Sequence, residues 1–492
     1  MLNFRKKKYK YLIILKKFKN TNSFLSNVLK VASGTLLAQA LGYIFLPLIT
    51  RLYTPQQFGD LGIFIAMFGV FTPLLGGKFE IALVLEKDKI QKMNLYLLSA
   101  VITLFISIIS FFVFLFFRDN IISILSLSIN QDLLFILPAS LLFFGLYQAN
   151  KYLLISNNSF GEISKTIVIE KIVNIGSKLI IGFFKPSSFG LVFSDLLGKI
   201  AVVFYTYFAI IQNKLYVSVL KKFNKYEVVK LVKKYKKFPT YELAGDWFDS
   251  ISNQIPLLIM AFYFNSVIIG YYVFANSILK KIIMLTSKSF GSVYYQKISE
   301  IKVTERNAFT SKLIKNLSII GILPFIIIAI GAPEIFSFIF GENWYNSGIY
   351  AQIMSPYLMI FFFLKPINGL YRVYNQQDKL FYFNIVNFII FSGVVIIGGL
   401  MKDITLTIKL ISISGVLVYG WIYFWILQKI KITFLDFIKL IKKYLLISFG
   451  FLLIPLLIKI FNNNDVYFLF SLLLLSIGYY LYVYKYSKME VN

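Results

Sequence analysis

The sequence predicts an all-α membrane protein, and its composition and hydropathy support that prediction. Of the 492 residues, 58% are hydrophobic and 15% are charged, with a mean hydropathy of +0.73. A soluble protein of this length could not bury so much apolar surface in its core. Runs of about 18 or more apolar residues recur along the chain, each long enough to cross a bilayer as a helix. A membrane β-barrel would instead show short alternating segments, which this sequence lacks.

The apolar runs predict about 14 transmembrane helices, because a helix satisfies its backbone hydrogen bonds internally. The predicted spans are, in chain order, residues 28–50, 59–77, 94–117, 133–154, 166–184, 188–211, 247–264, 266–288, 314–340, 348–368, 380–400, 404–427, 440–460 and 466–484. Spans five, seven and eight carry polar residues. If a polar helix is re-entrant or peripheral, the number falls to about 12 or 13.

Basic residues predict the orientation in the membrane. With the N-terminus in the cytoplasm, the cytoplasmic segments hold roughly 37 Lys and Arg residues and the opposite segments roughly five, as the positive-inside rule requires. This alternation predicts an even number of spans with both termini cytoplasmic, and it places Arg51 at the outer face. The basic N-terminal segment is interrupted by Lys16, Lys17 and Lys19 and has no small-residue cleavage site, so we interpret it as a cytoplasmic tail.

A lysine-rich interruption divides the chain near its middle and follows six predicted spans. The predicted organisation is a basic tail (1–27), an N-lobe of spans one to six (28–211), a basic cytoplasmic linker (212–246), a C-lobe of spans seven to twelve (247–427) and a C-terminal segment with the last two spans (428–492). Internal duplication is common in transporters, and the sequence echo between these two six-helix halves is faint.

Several kinds of chemistry are excluded by composition. The sequence has no cysteine and no histidine, which removes disulfides, thiolate metal sites and Cys or His nucleophiles. The net charge of +29 comes mostly from lysines between the apolar runs, so it indicates cytoplasmic loops and not nucleic-acid binding. No phosphate-binding GxxxxGK[ST] motif is present, so we predict a carrier without its own ATPase, and not an enzyme.

Four groups of short stretches carry a family resemblance. They are residues 34–39 with 47–55 and 58–59, residues 78–85, residues 235–239 with 254–256, and residues 340–344 with 348 and 351–352. In this order and at these helix ends, they resemble the polysaccharide exporters of the multidrug/oligosaccharidyl-lipid/polysaccharide (MOP) superfamily. These are the Wzx-type flippases, which move undecaprenyl-pyrophosphate-linked oligosaccharide repeat units.

The resemblance implies a MATE-like fold of two six-helix lobes around a central cavity, in the bacterial inner (cytoplasmic) membrane. It implies a lipid-linked oligosaccharide as cargo, contact with membrane lipids, and a polysaccharide polymerase and a chain-length regulator as partners. No nucleic acid, metal or cofactor is expected, and coupling to H+ or Na+ is left open. Two positions depart from the family pattern, since Ile283 stands near a usual proline and Lys365 stands where a small residue usually precedes Pro366.

Charged residues inside the spans form the predicted site, because a charge at mid-bilayer is costly and must face a cavity, a partner or the interface. A pyrophosphate cannot cross hydrocarbon bare, and lysine or arginine would replace its water and counterions. The predicted substrate-binding residues are Lys178, Lys199, Lys281, Lys365 and Arg51. The residues predicted to couple an ion or to form a gate are Glu170, Asp195, Asp249, Lys78 and Glu80.

Each of these residues also has a structural interpretation. Asp195 and Lys199 are spaced i, i+4, which favours an ion pair on one helix. Lys78 and Glu80 sit at a helix end and fit a structural ion pair that fixes a gate. The lysines near helix ends can extend to the interface, and Arg51 fits an interfacial position.

The leading functional hypothesis is a flippase for repeat units of O-antigen or capsular polysaccharide. A multidrug or metabolite antiporter of the same fold is the first alternative, although it would favour acidic cavity residues for cationic drugs. A lipid II flippase shares the cargo chemistry. A membrane-embedded glycosyltransferase would need acidic residues in a large outer loop, whereas the longest loop here is basic and cytoplasmic. A scaffold without transport activity is the remaining alternative.

Overall fold

The structure, a computed structural model, describes residues 24–124, 133–212, 225–461 and 464–489, and every regular element in these residues is helical. The long helices are α1 (Phe24–Leu52), α2 (Pro55–Phe71), α3 (Lys89–Phe116), α4 (Leu133–Ser156), α5 (Phe160–Phe184), α6 (Ser188–Gln212), α7 (Leu243–Tyr263), α8 (Ser266–Glu300), α9 (Arg306–Phe340), α10 (Tyr345–Ile367), α11 (Gln377–Leu400), α12 (Ile404–Gln428), α13 (Phe434–Phe461) and α14 (Asp465–Met489). Most of the predicted basic tail, residues 1–23, lies outside the described residues.

Within the described residues, 12 helices are long and apolar enough to cross a membrane. The helices α5 and α7 are not among them, and they coincide with the polar spans five and seven of the prediction. The sequence of α5 contains Glu170, Lys171 and Lys178, and that of α7 contains Asp246 and Asp249. The predicted all-α membrane class is confirmed, while the number of membrane crossings stays a prediction.

The chain forms two compact units, each assembled from several stretches of sequence. Unit 1 takes the described residues of Met1–Leu52, Met67–Ile121 and Asn130–Ser250, and unit 2 those of Tyr53–Ala66, Ile122–Ile129 and Ile251–Asn492. The helices α2 and α7 therefore each contribute to both units.

Helix α2 begins at Pro55, ahead of the predicted start at residue 59. The Thr54 N–H donates to Gln57 Oε1 (2.9 Å) and the Gln57 N–H donates to Thr54 Oγ1 (3.4 Å). This reciprocal pair is a capping box, and proline suits the first helical position because an N–H there would lack a helical partner. In unit 2, a Cβ on Gly59 would lie 1.8 Å from the carbonyl oxygen of Ser266, so glycine permits close packing of α2 on α8.

In unit 1, α1 packs on α5, α3 packs on α4, and α6 packs on both α4 and α5. A hydrophobic core forms where these helices meet the segment after α2, and it fully buries Leu83, Leu95 and Leu154. The linker helix, Lys225–Lys234, packs on α3 and points Leu231, 2% exposed, into this core. The described part of the predicted basic linker is therefore docked on unit 1.

The linker helix is also held by Glu86, a buried carboxylate in the loop before α3. Both Lys234 and Tyr235 donate hydrogen bonds to Glu86 Oε1. Burial alone raises the pKa of Glu86, but these hydrogen bonds and the positive charge of Lys234 outweigh it and hold the pKa of the carboxyl below its ordinary value.

In unit 2, α10 is the central helix and packs on α8, α9 and α12, while α11 packs on α12 and α13 packs on α9 and α14. Trp344 is fully buried, with its ring centroid 4.1 Å from that of Phe274 and 4.9 Å from that of Phe58. Two of the stretches that carry the family resemblance, 58–59 and 340–344, therefore meet in one aromatic core.

Helix α9 is interrupted near its C-terminal end, and its free carbonyls are bound by side chains. Pro333 has no N–H to donate to the Ala329 carbonyl one turn earlier. The Gln352 side chain of α10 donates to that carbonyl instead, at 2.7 Å.

The next carbonyl of α9 is bound from the C-terminal helices. Lys459 of α13 donates to the Ile330 carbonyl at 2.7 Å and forms an ion pair of 2.7 Å with Glu334. Glu334 is 8% exposed. The interruption in α9 is thus satisfied by partners on two other helices of the same unit.

Candidate functional site

A charged cluster lies among the apolar helices of unit 1, centred on the ion pair between Asp195 and Lys199 of α6. The i, i+4 spacing brings the two side chains together, as the sequence indicates. Asn174 of α5 donates to Asp195 Oδ1 at 3.1 Å. Lys199 is 6% exposed and its Nζ lies 4.8 Å from the ring centroid of Phe68.

Further charges surround this pair. Lys171 and Lys178 of α5 both interact electrostatically with Asp195. Glu170 interacts with Lys151, Lys171 and Lys199. The cluster therefore holds four lysines and two carboxylates, which gives a formal charge of +2. Sequence analysis missed Lys151, although a lysine inside predicted span four was the signal that could have found it.

A cavity of about 240 Å³ lies elsewhere in unit 1. Its lining residues are Thr72, Pro73, Leu75, Gly76, Lys78, Glu80, Gly145, Gln148, Asp246 and Asp249. The cavity therefore brings together three residues predicted to couple or gate: Lys78, Glu80 and Asp249. It adds a further carboxylate, that of Asp246.

Backbone conformation shapes this cavity. Gly76, Gly77 and Lys78 all have positive φ (66°, 59° and 64°), which glycine adopts without strain and lysine seldom does. The turn carries Lys78 to Asp246 of α7, where they form an ion pair of 2.7 Å. Glu80 is 7% exposed and accepts a hydrogen bond of 3.3 Å from Ser99. The ion-pair partner of Lys78 is thus Asp246 on another helix. The sequence had suggested Glu80, which lies close to Lys78 along the chain.

The cavity carries three carboxylates and one ammonium group, so its formal charge of −2 attracts cations. Within the part of the chain that the structure describes, no group of three or more Asp, Glu, His or Cys residues is placed to hold a metal ion.

A second lysine site lies in unit 2, where Lys280 of α8 and Lys365 of α10 lie close enough to repel each other. Both side chains are half-buried, and Lys365 Nζ lies 5.2 Å from the ring centroid of Phe361. No carboxylate among the described residues forms an ion pair with Lys280. Lys281 and Arg51, two of the predicted cargo ligands, are exposed side chains, and their role stays a prediction.

Three solved structures resemble this chain in fold. The inward closed structure of the lipid II flippase MurJ has a TM-score of 0.71 at 17% identity, covering 95% of this chain and 99% of that chain. An inward-facing multidrug resistance MATE family transporter of the MOP superfamily has a TM-score of 0.62 at 13% identity, covering 80% and 98%. A MOP superfamily transporter from Pyrococcus furiosus has a TM-score of 0.51 at 15% identity, covering 82% and 95%.

Fold and charged clusters together define the class: an all-α, multi-pass membrane protein with the transporter fold of the MOP superfamily, consistent with the bacterial inner membrane. The sequence comparison is narrower than the fold. The model of the family described as "Polysaccharide biosynthesis protein" matches residues 48–348, and the chain belongs to this family. The resemblance to polysaccharide exporters of the superfamily is thereby confirmed. A search of the curated proteins finds no match to this chain.

Proposed function

We propose that the protein is a flippase that carries oligosaccharide repeat units, joined to undecaprenol through a pyrophosphate, across the bacterial cytoplasmic membrane by alternating access. The flipped units would serve surface polysaccharide synthesis, such as O-antigen or capsule. The family and the transporter fold support a lipid-linked saccharide as cargo, and MurJ, which has the same fold, is a lipid II flippase.

The Lys280–Lys365 pair is the observation that carries the proposal. Two ammonium groups close together between apolar helices repel each other and lose hydration, and a bound anion offsets both costs. A pyrophosphate offers several acceptor oxygens and more than one negative charge, and it relieves both costs at once. We assign the pair to the pyrophosphate of the cargo, and Lys281 stays a predicted ligand.

The cluster in unit 1 supports the same cargo chemistry. Its excess of lysines, including Lys178 and Lys199, suits an anion better than a cationic drug. We assign Lys178 of this cluster to a contact with the cargo, while Lys199 forms the ion pair with Asp195.

The acid-lined cavity supports coupling to a proton or to Na+, with Glu80, Asp246 and Asp249 as the groups that would hold it. The same cavity is the observation that favours the second candidate, an antiporter of cationic drugs or metabolites. Deleting the gene separates the two, because only the antiporter predicts increased sensitivity to cationic drugs with normal surface polysaccharide.

The flippase proposal is tested by deletion and complementation. We expect the deletion strain to accumulate lipid-linked repeat units on the inner leaflet and to lose surface polysaccharide. The Lys280→Gln/Lys365→Gln double variant should restore less than about a tenth of the wild-type polysaccharide, because one charge-assisted contact contributes about 1.5–3 kcal/mol. Lys409→Gln is the matched control, since Lys409 is an exposed lysine in predicted span twelve. Normal polysaccharide in the deletion strain would refute the proposal.

A further inference from the structure

Two rows of side chains, each spaced i, i+4, i+8, lie on neighbouring helices of unit 2. The first, the α8 row, is Tyr272, Asn276 and Lys280. The second, the α10 row, is Tyr357, Phe361 and Lys365. Each spacing keeps its three residues on one helix face. Helix α8 packs on α10, and Tyr272 lies within electrostatic range of Tyr357, as Lys280 does of Lys365, so the rows run side by side in the same direction.

A third helix completes this surface. The ring of Tyr419 from α12 stacks on that of Tyr357, with centroids 6.2 Å apart and planes at 18°, and it lies 4.9 Å from that of Phe361. The Asn387 amide of α11 hydrogen-bonds the Tyr419 hydroxyl. Tyr272 is within electrostatic range of Tyr419 as well. Aromatic rings and amides from four helices therefore converge beside the lysine pair.

Two hydrogen-bond acceptors in this surface have no donor among the residues that the structure describes. The Oδ1 atoms of Asn276 and Asn387 are buried and have no hydrogen-bond partner among the described residues. A buried acceptor left without a donor costs about 1–3 kcal/mol, so a surface that served packing alone would be expected to pair it. The side chains themselves are half-buried, as are those of Phe361 and Tyr419, which leaves part of each accessible.

We propose that Tyr272, Asn276, Phe361, Asn387 and Tyr419, the aromatic–amide cluster, form the subsite for the sugar that is bonded directly to the cargo pyrophosphate. This inference rests on the proposed function and extends it from the anion to the carbohydrate. Sugar hydroxyls supply the donors that the two asparagine oxygens lack, and the C–H face of a sugar ring packs on an aromatic face.

The position of the cluster fits the covalent structure of the cargo. The first sugar follows the second phosphate directly, so its subsite has to adjoin the cations that hold the phosphates. Lys365 Nζ lies 5.2 Å from the ring centroid of Phe361, which in turn contacts Tyr419. The lysine level and the aromatic level are therefore successive turns of the same two helices.

The test compares two lipids bound by the full-length protein in lipid nanodiscs. One is undecaprenyl pyrophosphate, and the other is the lipid-linked repeat unit extracted from the deletion strain. We expect wild type to bind the repeat unit about tenfold more tightly, since ring packing and two hydrogen bonds distinguish the two lipids. Asn276→Ala and Tyr419→Ala should each reduce this preference severalfold while leaving the affinity for undecaprenyl pyrophosphate unchanged.

Lys280→Gln is the contrasting variant and should weaken binding of both lipids. Tyr419→Phe retains the ring and should keep most of the preference. Equal affinity of wild type for the two lipids, or an equal loss for both lipids in Asn276→Ala and Tyr419→Ala, would overturn the sugar subsite and leave the pyrophosphate assignment standing. If wild type binds neither lipid, the proposed function fails as well.

Discussion

Asp195 and Lys199 depend on each other, because Lys199 is almost fully buried among apolar helices. Removing one partner of such a pair changes the buried charge of the cluster, whereas removing both leaves its formal charge at +2. The stability of single and double variants therefore distinguishes a structural ion pair from two independent side chains.

We expect Asp195→Asn to lower the free energy of unfolding by about 3–5 kcal/mol and the double variant Asp195→Leu/Lys199→Met to recover most of that loss. Thermal unfolding of the purified protein in detergent measures both. Lys165→Met is the matched control, since the Lys165 side chain is exposed and its ion pair with Glu162 contributes less than about 1 kcal/mol. Wild-type stability of Asp195→Asn would contradict the interdependence.

The partners of individual charged residues also show what could be predicted from sequence. The pairing of Asp195 with Lys199 follows from spacing along one helix, which needs no tertiary information. The proximity of Lys280 to Lys365 does need it, because the two lysines lie on different helices that only the packing of α8 on α10 brings together. Lys78 likewise finds Asp246 through a left-handed turn that helical periodicity does not reveal.

At the scale of elements, the linker helix is held to unit 1 by the burial of Leu231 and by Glu86. The folded-state pKa of Glu86 lies below the ordinary value of 4.5. Its contribution is therefore fully present above the ordinary pKa and is lost as the pH falls through the lowered value. Docking of this helix should therefore weaken at acidic pH. It should not weaken at alkaline pH until Tyr235 loses its proton.

We expect Glu86→Gln to speed amide hydrogen exchange in residues 225–234 roughly fivefold at neutral pH, because a hydrogen bond to a charged group is replaced by weaker neutral ones. The variant should also lose the acid-dependent step of the wild type. Glu227→Gln, which makes the same charge change on the linker helix itself, is the control. Unchanged exchange in Glu86→Gln would show that Leu231 and its neighbours suffice for docking.

The helical structure of the long elements was predictable, because long apolar runs permit little else in a membrane. The first residue of each helix was less predictable, as α2 shows. The prediction started this span at Gly59, where the apolar run begins, but the capping box of Thr54 and Gln57 nucleates the helix at Pro55. Capping is decided by a few polar contacts and not by hydropathy.

For the whole molecule, the distribution of basic residues predicts which loops face the cytoplasm. The absence of native cysteine allows a clean test with single-cysteine variants. Val303, between α8 and α9, and Met401, between α11 and α12, are 67% and 63% exposed, so reagent access to the two positions is comparable.

We expect a membrane-impermeant maleimide to label Met401→Cys on intact cells, or on spheroplasts where an outer membrane is present. Val303→Cys should be labelled at least about tenfold less until the membrane is permeabilised, because its loop lies among basic segments that stay inside. The cysteine-free wild type is the control. Labelling of Val303→Cys before permeabilisation would reverse the predicted orientation.

The fold class followed from composition alone, but the division into units did not. The units are not contiguous in sequence, and two of the boundaries fall within α2 and α7. Such divisions arise from which faces pack together, as where Gly59 permits α2 to approach α8 in unit 2. Hydropathy along the chain carries no information about that choice.

The bond from Lys459 to the interrupted part of α9 has a consequence for how the protein can be shortened. A chain ending after α12 would leave Glu334 and the Ile330 carbonyl in an apolar environment without the positive charge of Lys459. The helix pair α13 and α14 therefore cannot be removed without the loss of these contacts. Any natural or engineered version without α13 and α14 must also carry another residue in place of Glu334. We expect the two changes to occur together.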